Sequence, residues 1–283
     1  MGQLPKINLV LSFIVFCLSL FFISSLVQAD LNKGLVAGWT FDKDEIKDAV
    51  GNHHGKLFKA AKSGVKGGKF GGCIRTDGSK ETRGEIMVPG LEKILEKEFT
   101  VAYWVFARTA VDHSGIWKGE KVGWGPNFTF RILQNSNKNI TWGVCTEGNE
   151  NWFATDNAME GEKWVHLCQT YDGKQAIGYV TMDGKTEIPE SGQGNPKAAK
   201  APLKLFKNRP IEIGAGRSIG GNDGNDSFAD ADYDDLLIWD RALDEDEVKS
   251  LGKGKRPDQA LSVKAHGKVS TTWGQVKSYK TMQ

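Results

Sequence analysis

Short runs rich in β-branched and aromatic residues recur along this chain, each bounded by Gly, Asp or Asn. FTVAYWVFA (99–107), FTFRIL (128–133), ITWGVC (140–145), WVHLCQTY (164–171), IGYVTM (177–182), IEIG (211–214) and DLLIWD (235–240) suit pleated, half-buried strands. YDGK, MDGK and GRSIGGNDGND lie between them and supply the positive backbone angles and local hydrogen bonds that turns need. Many short strands at regular intervals predict an all-β chain, a two-sheet antiparallel β-sandwich or jelly roll. The 34 glycines fit that reading.

Helix signals are few. In LDEDEVKSLG (243–252), Asp244 is placed to accept the first free amides while Glu247 reaches back, and Gly252 ends the turn. GLEKILEKE (90–98) is expected to form a second short helix.

The first 29 residues stand apart. Ile7 to Val27 is almost wholly apolar, follows Lys6 and ends in Val27-Gln28-Ala29. That pattern predicts a secretory signal peptide, residues 1–29, cleaved after Ala29. A retained anchor is the alternative, since the run is long enough to cross a hydrocarbon core of about 30 Å. The single flanking base and the small residues at the cleavage point favour cleavage. Cys17 lies inside the apolar run rather than at that point, which argues against a lipid anchor. The expected product is secreted or extracytoplasmic, with no membrane insertion.

After cleavage 36 basic side chains oppose 35 acidic ones, which offers no general case for nucleic acid. The charge is uneven, because from Gly252 onward seven Lys and Arg face only Asp258. Residues 30–251 therefore read as one domain and 252–283 as a basic tail, either a solvated linker or a segment drawn to acidic polymer or lipid. Cys73, Cys145 and Cys168 remain. In an exported protein three cysteines allow one disulfide, and Cys145 and Cys168, on successive predicted strands, are the candidate pair. Buried thiols filling apolar space are the other reading.

The motifs LVAGWTFD (35–42), DAVGNHHG (48–55), KFGGCIRTDG (69–78), EFTVAYWV (98–105), GEKWVHLCQTYDG (161–173), GYVTMDG (178–184), PIEIGA (210–215) and YDDLLIWDRALDEDEV (233–248) resemble, in order, the concanavalin A-like lectin/glucanase superfamily in its laminin-G-like jelly-roll branch. The resemblance implies two antiparallel sheets of six or seven strands. It also implies binding of glycans or proteins, with calcium in some members.

The acidic stretch FADADYDDLLIWDRALDEDEV (228–248) bears on catalysis and on metal. Superfamily glucanases use a Glu-x-Asp-x-Glu type strand, and alternate strand residues, about 6.6 Å apart, suit paired carboxylates. Here the analogue is Asp230, Asp232 and Asp234, without either glutamate, so no catalytic residue is assigned. Asp230 and Asp232 are expected at the exposed entry of that strand. Alternation places Asp234 on one face with Leu236 and Ile238, and Tyr233, Asp235, Leu237 and Trp239 on the other. The resemblance makes the first and last strands neighbours, so Asp42, Asp48, Asn52 and Asp234 are the candidate ligands for a structural calcium. The alternative is that Asp234 accepts turn amides. The adjacent His53 and His54 fit a turn rather than a metal site.

The stretches WKGEKVGWGPNF (117–128) and TEGNENWFATDN (146–157) read as loops. They put Trp124, Trp152 and Phe153 beside Glu150, Asn151 and Arg131, and flat rings next to polar groups suit sugar stacking. Trp117 is expected in the core, and Trp124, Arg131, Asn151 and Trp152 are the candidate ligand contacts. Asn127, Asn139 and Asn225 head glycosylation sequons, which matter only in a host that uses them. The expected function is a non-enzymatic module recognising polysaccharide or glycoconjugate. A scaffold for other surface proteins is the alternative, and a glycoside hydrolase the third reading.

Overall fold

The computed structural model describes residues 30–258 apart from 44, 58–60, 79–84, 87–90, 109–113, 121–124, 136–137, 157–158, 201, 208 and 217–226. The expected signal peptide (1–29), most of the basic tail, Trp124 and Asn225 lie outside the described residues. Within them the chain runs through β1 (Leu35–Trp39), β2 (Lys62–Lys66), β3 (Gly72–Asp77), β4 (Glu85–Ile86), β5 (Phe99–Ala107) and β6 (Ser114–Gly119). It continues through β7 (Phe128–Gln134), β8 (Ile140–Thr146), β9 (Asn149–Thr155), β10 (Trp164–Tyr171), β11 (Gln175–Met182) and β12 (Lys185–Glu187). It ends with β13 (Lys197–Ala198), β14 (Ile211–Ile213), β15 (Ala215–Gly216), β16 (Ser227–Phe228), β17 (Asp230–Trp239) and helix α1 (Glu245–Gly252).

These strands form a large antiparallel sheet in the order β12-β11-β10-β5-β17-β3-β2, with β1 added to β17 and β13 to β11. A smaller sheet runs β4-β14-β6-β7-β8-β9, and β15 and β16 make a separate ribbon. The main core lies between the two sheets. Val101, Tyr103, Val105, Val165, Leu167 and Ile238 of the large sheet share one apolar cluster with Phe130, Ile132, Trp142 and Val144 of the small one. Each such side chain contributes about 1.5 to 3 kcal/mol by leaving water. The buried Gln169 amide crosses the gap to donate to the Gly143 carbonyl at 3.1 Å, which satisfies that amide nitrogen where water is excluded.

A second buried cluster lies on the outer side of the large sheet, where Ala102, Cys168, Tyr179, Leu237 and Trp239 are covered by Leu31, Leu35 and the helix residues Val248 and Leu251. The helix begins as its sequence dictates. Asp244 accepts the Glu247 amide at 2.8 Å and Glu247 accepts the Asp244 amide at 3.0 Å.

Three expectations change. Residues 91–97 form turns and bends instead of a helix, because a single turn closed by the Leu95 amide on Leu91 is too short to offset the cost of nucleation. The Cys145–Cys168 disulfide is not formed, and Cys73, Cys145 and Cys168 are all free and buried. Cys145 sits with Trp117, Phe128 and Leu133 outside the small sheet, whereas Cys168 sits outside the large sheet. The whole sandwich separates them, and packed sheets stand about 10 Å apart, beyond disulfide reach.

The third change concerns β17. Its pairing with β5 shifts register between Asp234 and Leu237, and Asp235 has φ 46. This one-residue bulge reverses the alternation. Ala231, Tyr233, Leu236 and Ile238 face the core between the sheets, so Asp234 lies on the outer face with Asp232 rather than beside Leu236 and Ile238.

Candidate functional site

The bulge fixes what the outer face of the large sheet presents. Strand register sets Arg75 of β3, Asp232 of β17, Phe106 of β5 and Trp164 of β10 side by side in one row. The Arg75 guanidinium forks both Asp232 oxygens at 2.8 and 2.7 Å. Arg108 adds contacts to Asp232 at 2.9 Å, to Asp230 at 2.6 Å and to the Thr76 carbonyl at 2.8 Å. The Phe106 and Trp164 rings lie 5.7 Å apart, tilted by 55°, and both are half-buried. Together with Gly67 these residues line a cleft of about 300 Å³. Its floor joins flat apolar rings to hydrogen-bond donors and to an acceptor. The Arg75 side chain is 44 % exposed and that of Asp232 5 %, so the expectation that Asp232 stands at an exposed strand entry is corrected: the two guanidiniums cover it.

A second row runs parallel to the first, with Asp234, Trp104, His166 and Thr181 in register. The His166 and Trp104 rings lie 5.1 Å apart, tilted by 49°. Burial, helped by the Lys69 charge, lowers its pKa to about 3, so it stays neutral. Asp234 accepts the Phe70 amide at 2.9 Å and the Asp235 amide at 2.8 Å. Burial first, then the charge of Asp235, pushes its pKa up to about 7.

The candidate calcium ligands are dispersed in role. Asp48 is saturated by the amides of Gly38, Val50, Gly51 and His53, all within 3.0 Å, which closes the loop that the HH motif occupies. Asp42 accepts the Gly72 amide at 3.0 Å, Asn52 is exposed, and Asp234 serves turn amides. Among the described residues no group of three or more His, Cys, Asp or Glu side chains gathers as a metal site. Three of the four amides on Asp48 meet Oδ1 and one meets Oδ2, so this carboxylate is committed to its loop.

Of the candidate ligand contacts, Arg131, Asn151 and Trp152 lie on the small sheet, and the second predicted loop is largely strand β9. Trp117, Arg131, Gly143 and Trp152 share a row across β6, β7, β8 and β9 on the outer face. Asn151 has the opposite parity and donates to Thr146 Oγ1 at 3.2 Å. Phe153, on the same side, stacks with Trp142 in the main core. A Cβ at Gly143 would stand 3.1 Å from the Phe128 ring, so that ring fills the space a glycine leaves. Arg131 lies 4.3 Å over the same ring and pairs with Glu150 at 3.0 Å, and Glu150 also accepts the Gly125 amide. Burial, opposed by Glu150, lowers the Arg131 pKa. Trp117 is fully buried. The structure thus brings Arg131 and Trp152 into one row, turns Asn151 away, and closes that row with Phe128.

Sequence reasoning missed Arg75, Phe106, Arg108 and Trp164. A signal existed: acidic residues at alternate positions of a covered strand require cationic partners, and Arg75 within KFGGCIRTDG (69–78) and Arg108 directly after FTVAYWVFA (99–107) are arginines in or beside strands.

A laminin G model described as the concanavalin A-like lectin/glucanases superfamily matches residues 80–249. A search of curated proteins found no match. Among solved structures, a Trypanosoma rangeli sialidase in complex with 2,3-difluorosialic acid aligns at 15 % identity and TM-score 0.54, over 79 % of this chain and 33 % of that one. The binding domain of Paraclostridial Mosquitocidal Protein 1 aligns at 19 % and 0.52, over 78 % and 52 %. The binding domain of botulinum neurotoxin DC in complex with rat synaptotagmin II aligns at 14 % and 0.55, over 78 % and 52 %. The chain thus spans a third to a half of these structures, and the likeness shows the fold. With more than half of its residues matched by the family model and its two antiparallel sheets in place, the chain belongs to the concanavalin A-like lectin/glucanases superfamily.

Proposed function

We propose that this domain is a secreted, non-enzymatic module that recognises extracellular carbohydrate in the cleft on the outer face of its large sheet. The observation that carries the reading is the half-buried Phe106–Trp164 pair set beside the Arg75–Asp232–Arg108 network. Sugar rings present C–H faces that stack on aromatic rings, and hydroxyls that both donate and accept. The Arg75 and Arg108 guanidiniums, oriented by the Asp232 carboxylate they cover, donate to such hydroxyls. The non-enzymatic reading draws support from the same contacts: Asp230 and Asp232 are held by arginines, and Asp234, the one carboxyl of the three with a raised pKa, is 1 % exposed and does not line the cleft, whereas glycoside hydrolysis asks a carboxylic acid at the substrate to give up a proton. Export is supported by the apolar leader, and no helix among the described residues is long and apolar enough to cross a membrane.

Titration with a panel of neutral and acidic polysaccharides, read by the thermal midpoint, tests this, because any ligand of the native state raises that midpoint. At least one polysaccharide is expected to raise it. Trp164→Ala is expected to weaken binding by about tenfold or more, the usual value of a stacked aromatic. An empty panel would overturn the reading and favour the protein-scaffold alternative.

A further inference from the structure

One wall of the cleft, at Gly67, belongs to a loop that lies over the outer face of the large sheet. The loop turns on Gly67 and Gly71, with φ 100 and 147, values that side chains rarely adopt. It is pinned from beneath, by the Phe70 amide on Asp234 and the Gly72 amide on Asp42. The Phe70 ring meets Trp104 edge-on at 5.9 Å, and Lys69 Nζ stands 4.1 Å from the Trp104 centroid.

A second segment presses on it from outside. Residues 253–257 were expected to begin a free tail, yet they pack here: a Cβ at Gly254 would stand 3.5 Å from the Phe70 ring, and Pro257 is buried. The Arg256 guanidinium lies 4.9 Å from the Phe70 centroid. It also forks Asp235, Nε to Oδ2 at 2.5 Å and Nη2 to Oδ1 at 2.6 Å. Asp235 is the bulge residue of β17, 3 % exposed. One guanidinium therefore ties the segment after the helix to both the loop and the strand that carries Asp232.

We propose that Arg256 is a positioning residue for the cleft, holding the Gly67–Gly72 loop through Phe70 and Asp235 so that Gly67 forms the cleft wall. The proposal rests on the reading of the cleft as a binding site, and concerns contacts outside it.

Asp234, which anchors the Phe70 amide, also accepts the Asp235 amide at 2.8 Å, so the fork and the loop's own anchor meet at the bulge.

Hydrogen exchange of residues 66–72 and polysaccharide affinity, measured on the full chain at pH 7.5, test the proposal. Arg256→Ala is expected to speed loop exchange and weaken binding, each by about tenfold, with β5 exchange unchanged. Arg256→Lys should restore little, because an ammonium neither forks nor stacks in the same way. Asp235→Asn, which keeps a residue tolerant of positive φ but removes the charge that the guanidinium forks, should free the loop as Arg256→Ala does. Wild-type exchange rates in Arg256→Ala, or a freed loop with unchanged affinity, would overturn the proposal. Should Arg256→Ala fail to fold, Phe70→Leu removes the ring beneath the guanidinium and gives the same two readouts. If the wild type binds no polysaccharide, the functional reading fails, while loop exchange still decides the role of Arg256.

Discussion

Three aspartates show how burial assigns opposite work to one side-chain type. Asp48 is buried, yet four amides surround it, so its charge organises the loop after β1. Asp48→Ala strands those amides and is expected to cost about 2 to 4 kcal/mol, read as a lower urea midpoint at unchanged m-value. Asp234 and Asp235 are buried with fewer donors, and their pKa values rise to about 7 and about 6. Both folded values exceed the unfolded value, so the stability these groups contribute is complete below about pH 4 and is lost as pH rises through 6 to 7. Asp234→Asn cannot titrate. Its thermal midpoint should therefore fall less steeply than that of the wild type between pH 5 and 7.5, and equal slopes would contradict the assignment.

At the scale of strands, much of the architecture was legible. Period-two alternation in residues 164–171 separates Val165 and Leu167, facing the core, from His166 and Cys168 on the outer face. The capping residues of the helix were equally plain. The bulge at Asp235 was not, because a run of apolar residues on both sides of a covered strand carries no phase error to reveal an extra residue. The mispaired cysteines have a related cause: sequence order shows which strands follow one another, not which sheet each joins. Close contact between sheets is similarly hidden. A Cβ at Gly178 of β11 would stand 2.6 Å from the Trp142 ring of β8, so Gly178→Ala must push the sheets apart or move the indole. The expected cost is about 1 to 3 kcal/mol, measured by denaturant unfolding, and Trp142→Phe in the same background should recover part of it.

Across the whole molecule, the cleft is assembled from Gly67, Arg75, Phe106, Arg108, Trp164 and Asp232, which only the pairing order of four strands brings together. Sequence reasoning favoured the small sheet because its aromatic and polar residues are close in sequence, while proximity in the fold follows register. The packed part of the molecule also reaches past the helix, since Arg256 closes on Asp235. A chain ending at Gly252 would leave the buried Asp235 without its cation, and one ending at Asp258 would keep it. At pH 8, where Asp235 is ionised, the shorter chain is expected to be less stable by about 2 to 4 kcal/mol, the usual cost of breaking a buried ion pair from one side. At pH 5 the carboxyl is protonated in both chains and the gap should shrink. A gap of the same size at both pH values would assign the stabilisation to packing of Gly254 and Pro257 instead of to the ion pair.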